Sequence, residues 1–229
     1  MKKDMKDITG FYAKKLAETA LKMGTIKLSV DKPFTWASGY KMPIYNDNRQ
    51  FLSKYEYRKT ITDAFTQMAE RLDKDEFDCI AGTSTAGIPH ATSLADRLQL
   101  PLSYVRSSSK DHGLKNQIEG LVGKDYASAK VLLIEDLIST GGSSIEALKA
   151  IRNANGICNN CFAIFTYGLD KASDAFGALE PACDLYTILD YESMLEVALS
   201  IGYIDDKAKA SLEEWRQSPF TWQDRFAGN

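Results

Sequence analysis

The chain has 229 residues, enough for one full α/β domain with embellishments. Its net charge of −3 argues against nucleic acid or an anionic membrane surface as partner. No apolar run approaches the roughly 18–20 residues needed to span a bilayer, and the charged start Met1-Lys2-Lys3-Asp4-Met5-Lys6-Asp7 does not read as a secretory signal, so a cytoplasmic protein with no membrane partner is expected.

Ile8, Phe11, Tyr12, Leu16 and Leu21 recur at helical spacing and predict an amphipathic helix over 6–22. Short strand-like pieces follow at 26–30 and 42–45, around a Ser38-Gly39-Tyr40 turn, and Ser53 can cap a helix over 54–72. The alternation then becomes regular: strand 78–81, helix 87–98, strands 102–105 and 131–134, helix 144–154, and strands 161–167 and 185–189. This predicts an α/β fold with a central, mainly parallel sheet flanked by helices. Helix-like 191–201 and 205–216, followed by Trp222, can fold back on the first helix as a cap over the strand ends. Pro-Phe-Thr-Trp occurs at 33–36 and again at 219–222, but the flanks differ and no internal repeat is inferred.

Between 106 and 122 the pattern stops, in the polar stretch Ser107-Ser108-Ser109-Lys110-Asp111-His112-Gly113-Leu114-Lys115-Asn116-Gln117. A long loop of this kind inside a compact domain is usually a functional lid or disordered, and a lid over 107–120 is expected. The four cysteines are Cys79, Cys158, Cys161 and Cys183. Cys158-x-x-Cys161 precedes a strand and not a helix, and His90 and His112 lie in unrelated segments, so reduced structural thiols are expected.

The most informative segment is Val131-Leu132-Leu133-Ile134-Glu135-Asp136, followed by the turn Ser139-Thr140-Gly141-Gly142-Ser143-Ser144 and a helix. The apolar run reads as a buried parallel strand, with two carboxylates at its carboxyl end, where open α/β sheets bind ligands. The turn offers backbone N–H groups and hydroxyls at a positive helix N-terminus, which suits a phosphate. The two acids can accept from neighbouring sugar hydroxyls, so the pair of features suits a ribose 5-phosphate. Neither a Walker phosphate loop nor a dinucleotide Gly-x-Gly-x-x-Gly pattern is present. A second small-residue turn, Gly82-Thr83-Ser84-Thr85-Ala86-Gly87-Ile88-Pro89, follows the strand at 78–81 and could approach an oxyanion by its backbone.

The first segment closely resembles the phosphoribosyl-diphosphate (PRPP) motif of type I phosphoribosyltransferases. Phe34-Thr35-Trp36-Ala37-Ser38-Gly39, with Pro43-Ile44-Tyr45-Asn46-Asp47-Asn48-Arg49, is similar to the N-terminal signature of orotate phosphoribosyltransferases. Arg106 with Lys110-Asp111-His112-Gly113 is similar to that family's catalytic loop, and Thr85-Ala86-Gly87-Ile88-Pro89 and Glu214-Trp215-Arg216 match one bacterial branch. The resemblance implies transfer of the phosphoribosyl group from PRPP to orotate, with Mg²⁺ held through PRPP and water and with no direct protein ligand. It implies a homodimer whose lid residues complete the neighbouring site. It also implies a single domain over 1–229, with a hood from about 1–50 and 190–229 on a core of about 51–189.

By the same resemblance Lys110, His112 and Asp136 are catalytic, and Arg106 joins Lys110 and His112 in binding PRPP. Glu135, Asp136, Leu137, Ile138, Ser139, Thr140, Gly141, Gly142 and Ser143 wrap the ribose phosphate. Thr85, Ala86 and Gly87 form the pyrophosphate loop, and Ser139, Tyr45 and Lys27 lie at the orotate. The alternatives are a PRPP-binding regulator and an enzyme for another base; the acidic balance disfavours the first, the Phe34-to-Gly39 signature and the lid the second. Many relatives carry Tyr-Lys where this chain has Thr85-Ala86, and Lys where it has Ser107. Some grip the orotate carboxylate with an arginine after the strand at 161–167, where this chain reads Tyr167-Gly168-Leu169-Asp170-Lys171. Carboxylate recognition is left open, with Lys27 or backbone N–H groups as candidates.

Overall fold

The computed structural model describes residues 5–36, 39–73, 75–107, 117–123 and 125–226. Helix α1 (Lys6–Met23) buries Leu16, Ala17 and Ala20 and ends at Gly24, whose left-handed backbone lets its N–H reach the Leu21 carbonyl. Four short strands follow, β1 (Ile26–Leu28), β2 (Phe34–Thr35), β3 (Lys41–Met42) and β4 (Ile44–Asn46). They form two separate antiparallel pairs, β1 with β4 and β2 with β3. The strand expected over 42–45 is thus split at Pro43, which has no N–H to give a ladder. A 3₁₀ helix (Asn48–Ser53) then enters α2 (Tyr55–Ala69).

The core alternates as expected through β5 (Cys79–Thr83), α3 (Gly87–Leu98), β6 (Leu102–Val105), β7 (Ile118–Glu119), β8 (Lys130–Ile138), α4 (Gly142–Asn153), β9 (Ile157–Thr166), α5 (Asp170–Gly177) and β10 (Asp184–Asp190). Helices α6 (Tyr191–Ser200) and α7 (Asp206–Gln217) close the chain. The six-stranded sheet runs β10-β9-β8-β5-β6-β7 and is parallel except for β7. No helix among the described residues is long and apolar enough to cross a membrane.

Three boundaries differ from the sequence reading. β8 does not stop at Ile134: it keeps pairing with β9 through Ile138 opposite Thr166, so both acids lie inside the strand. Periodicity misses this because a strand buried on both faces is expected to be apolar throughout. β9 starts at Ile157 and contains the whole Cys158-x-x-Cys161 segment, whose thiols are buried and free. The expected lid is also shorter: Ile118 pairs with Val105, and the Arg106 N–H donates to the Gln117 carbonyl, which ties the loop's far end to β6.

Alternation along β8 feeds two apolar cores. Leu132 and Ile134 pack with α1, α2 and α3 on one face, while Val131 and Leu133 pack with α4 and α5 on the other. Strand order reverses between β5 and β8, because β5 continues through α3 to one side and β8 continues through α4 to the other. Above that switch point the N- and C-terminal segments interlock. Trp215 of α7 is fully buried, its ring 6.3 Å from Trp36 and 5.7 Å from Tyr167, and its indole N–H meets Met42 Sδ at 3.1 Å. Trp36 in turn donates to the Ile44 carbonyl at 2.8 Å.

Gly87 shows how closely α3 approaches the sheet. A Cβ there would stand 2.5 Å from both the Ile134 carbonyl oxygen and Thr83 Oγ1. Both neighbours are fixed by the core, so Gly87→Ala is expected to cost about 1–3 kcal/mol of stability by overpacking. A urea midpoint unchanged from the parent protein would rule this out.

Candidate active site

In an open α/β sheet the crevice outside the strand ends at the switch point is where a ligand fits. Here it is bounded by the loop after β5 and the loop after β8. The first, Ser84-Thr85-Ala86, opens α3 at Gly87, whose first turn follows directly on the end of β5. Thr85 is exposed and Ala86 partly so.

The second loop is built around Glu135. Its side chain is buried and accepts from Thr83 Oγ1 at 2.7 Å and from Ser144 Oγ at 2.9 Å, and one of its oxygens also accepts the Asp136 N–H at 2.9 Å. Thr83 ends β5 and Ser144 stands in the first turn of α4, so this carboxylate ties both loops to β8. Gly141, with φ of 81°, precedes α4 and packs against Phe176, and no side chain caps the helix. Gly142 and Ser143 are exposed at the helix start, and Ser139 and Thr140 are partly buried beside them.

Asp136, the next residue, is partly buried, and its carboxyl stands close to that of Glu135. Glu135 is thus held by Thr83 and Ser144, while Asp136 is less buried. Burial, reinforced by the neighbouring Glu135 carboxylate, pushes the Asp136 carboxyl up to about 7, and the Arg49 guanidinium opposes this. The Asp136 carbonyl accepts from Asn48 Nδ2 at 2.7 Å. Asn48 and Arg49 carry a signal only through the N-terminal signature, and Thr83, expected in the small-residue turn, is the last residue of β5.

Lys27 and Tyr45 face each other across the β1–β4 pair and are both exposed. The Tyr45 ring lies 5.9 Å from Phe34. Tyr167 joins this group: burial first, then Asp136 and Tyr45, raise its phenol well above the ordinary value. The structure thus gathers Tyr45, Asp136 and Tyr167, while the Lys27 stem lies over Gly24. Leu137 and Ile138 are strand residues, and Ile138 is buried in the α4-side core. Arg106 pairs with Glu119 at 3.6 Å at the end of β6. Lys110, Asp111, His112 and Lys115 lie outside the described residues. Buried His90, lowered to about 4 chiefly by burial, belongs to the α3 packing face.

Comparison with known proteins places this geometry. Residues 52–176 match the phosphoribosyl transferase domain family. The chain is 45% identical over 206 residues to an orotate phosphoribosyltransferase of Staphylococcus saprophyticus, covering 90% of this chain and 98% of that one. It is 44% identical to the orotate phosphoribosyltransferase of Listeria innocua, over 91% and 97% of the two chains. The solved structure of orotate phosphoribosyltransferase from Aeropyrum pernix shares the fold, with a TM-score of 0.67 and 24% identity over 83% of this chain and 99% of that one.

The two acids are expected to respond oppositely to substitution. A carboxyl raised from 3.8 to about 7 on folding holds its proton more tightly in the folded chain, so its contribution to stability falls as pH rises through that window. Asp136→Asn should therefore stabilise the ligand-free protein by about 1–2 kcal/mol near pH 8, after allowance for partial exposure, and raise its Tm by about 2–8 °C. The gain should vanish near pH 4; equal gains at both pH values would refute this origin. Glu135→Ala strands the Thr83 and Ser144 hydroxyls and should cost about 2–4 kcal/mol in urea melts. A cost below about 1 kcal/mol would show that the Glu135 network does not hold the loops.

Proposed function

The chain belongs to the orotate phosphoribosyltransferases, and from that membership we propose that it transfers the 5-phosphoribosyl group of PRPP to orotate. Orotate N1 bonds to ribose C1 as the C1–oxygen bond to the diphosphate breaks, and the N1 proton passes to water or to the departing diphosphate, giving orotidine 5′-monophosphate and pyrophosphate. The observation that carries this reading is the pairing, at one switch point, of a hydroxyl-glycine turn at the start of α4 with Asp136 beside it. Identity above 40% to orotate phosphoribosyltransferases over nine-tenths of the chain supports the choice of base.

In this reading residues 139–143 hold the 5′-phosphate through first-turn N–H groups and hydroxyls. Asp136 accepts from a ribose hydroxyl and favours the positive charge that grows on the sugar as the leaving group departs. Glu135 acts through the loop, by fixing Ser144 and Thr83. Residues 85–87 take the diphosphate by backbone N–H groups, and Ser139 and Tyr45 flank the base, with Lys27 at the rim. Arg106, Lys110 and His112 neutralise the leaving group and exclude water on closure. Mg²⁺ suits a site whose available donors are hard oxygens: PRPP and water would hold it, with no direct protein ligand, and it would neutralise charge on the leaving group. The same proposal includes a cytoplasmic location and a homodimer in which the lid serves the partner's site.

Loss of orotate absorbance with PRPP and Mg²⁺, alongside uracil and hypoxanthine, tests the assignment. Consumption of orotate alone is expected; turnover of another base, or of none, would overturn it. Lys110→Ala should lower kcat by about 10²–10³ with the fold retained. Mixing it with inactive Asp136→Asn subunits should restore about a quarter of parent activity, since half of randomly formed dimers are mixed and each has one complete site. No recovery in confirmed mixed dimers would exclude a lid acting across the dimer.

A further inference from the structure

A diphosphate carries several negative charges, yet Ser84, Thr85 and Ala86 supply none of the opposite sign. Arg106, at the end of β6, already has a carboxylate partner in Glu119. On the other side of Asp136 stands an arginine that neither composition nor periodicity marked. Asn48, buried, donates to the Asp136 carbonyl at 2.7 Å and so brings the start of the 3₁₀ helix against β8. The next residue, Arg49, is exposed, and no described carboxylate lies within ion-pair distance of it. Its element is well anchored, because Phe51 is buried and Arg58 Nη1 donates to the Leu52 carbonyl at 2.7 Å.

We propose that Arg49 is a substrate-binding residue that grips the diphosphate of PRPP, supplying from the hood side the positive charge that the loop at 84–86 lacks. The inference rests on the function proposed above and adds a residue to it. Direction favours the diphosphate over the orotate carboxylate. Asn48 ties the 3₁₀ helix to β8 at Asp136, and that helix runs into α2, which packs beside α3. The diphosphate loop opens α3, so a cation held there stands on the leaving-group side of the sugar. An arginine fork also matches two phosphate oxygens at once, where a lysine offers a single point charge.

The test uses the full chain with Arg49→Gln and Arg49→Lys, read by calorimetric binding of inorganic pyrophosphate with Mg²⁺ and by the KM values of both substrates. Arg49→Gln is expected to weaken pyrophosphate binding and raise the KM for PRPP about 10–100-fold, with Arg49→Lys in between and the KM for orotate within about twofold. Pyrophosphate affinity within about threefold of the parent, in a variant with an unchanged melting curve, overturns the proposal; a rise in the KM for orotate alone would move Arg49 to the base. Parent protein that binds pyrophosphate but consumes no orotate would instead sink the functional reading, and the binding arm would still judge Arg49.

Discussion

A single buried carboxylate organises the crevice. Taking Glu135 out of water costs several kcal/mol unless its oxygens are well paired, and the protein pairs them with a hydroxyl from the end of β5, a hydroxyl from the first turn of α4 and the next backbone N–H. Those partners belong to the two loops that face each other across the switch point. Neither loop can shift without leaving a buried donor or acceptor unpaired, so the residues proposed to hold the two ends of PRPP share one anchor. The cost of burial gives geometric definition where irregular backbone would otherwise be loose.

The same strand turns two adjacent acids into two different groups. Glu135 is turned towards α4, where Ser144 meets it, while the Asp136 carbonyl meets Asn48 of the 3₁₀ helix. Asp136 is left partly buried, repelled by its neighbour and moderated by Arg49. A ligand that brings hydroxyls and a cation would relieve that repulsion, which makes Asp136 costly in the empty protein and useful in the filled one. Further unpaired polar atoms stand where hood meets core: Asn48 Oδ1, both side-chain polar atoms of Asn46 and Thr25 Oγ1 are buried without a partner among the described residues. Buried groups of this kind are few in folded proteins, and their gathering at this junction concentrates the cost near the site.

How much of this could be read from residues alone depends on what kind of force sets each part. The central alternation of strand and helix is driven by apolar periodicity, so β5, α3, β6, α4 and β10 fall close to their expected places. The carboxyl half of β8 is set by ladder pairing with β9, a long-range term that an acidic tetrapeptide hides. β7 and the split between β3 and β4 are two- or three-residue pieces whose existence depends on a partner strand and leaves no periodic trace. In the site, the turn at 139–143 announces itself through composition, but the role of Glu135 requires knowing which face it takes. Asn48 is buried by tertiary contact with Asp136, and nothing local to residues 46–50 signals that contact.

Phosphate recognition and charge compensation draw on different resources in this fold. In the proposed function the loops at 84–87 and 139–143 meet anions with backbone N–H groups and helix dipoles, which persist whatever small side chain occupies each position. On that reading Thr85-Ala86 suffices at a diphosphate site, because the backbone still supplies directed donors. Formal positive charge cannot come from the backbone, and the tight approach of α3 to β8 at Gly87 leaves little room to place it inside. On the proposed reading it reaches the crevice from Arg106 and the loop that follows it, and from the segments that overhang the strand ends, where Arg49 lies. The interlocked Trp36, Trp215 and Tyr167 hold the hood in that overhang, and Asn48 ties it to β8 beside the reacting carbon's expected place. In the proposed function these segments have two tasks, flanking the base through Tyr45 and bringing charge over the core, and both depend on their position being fixed from outside the sheet.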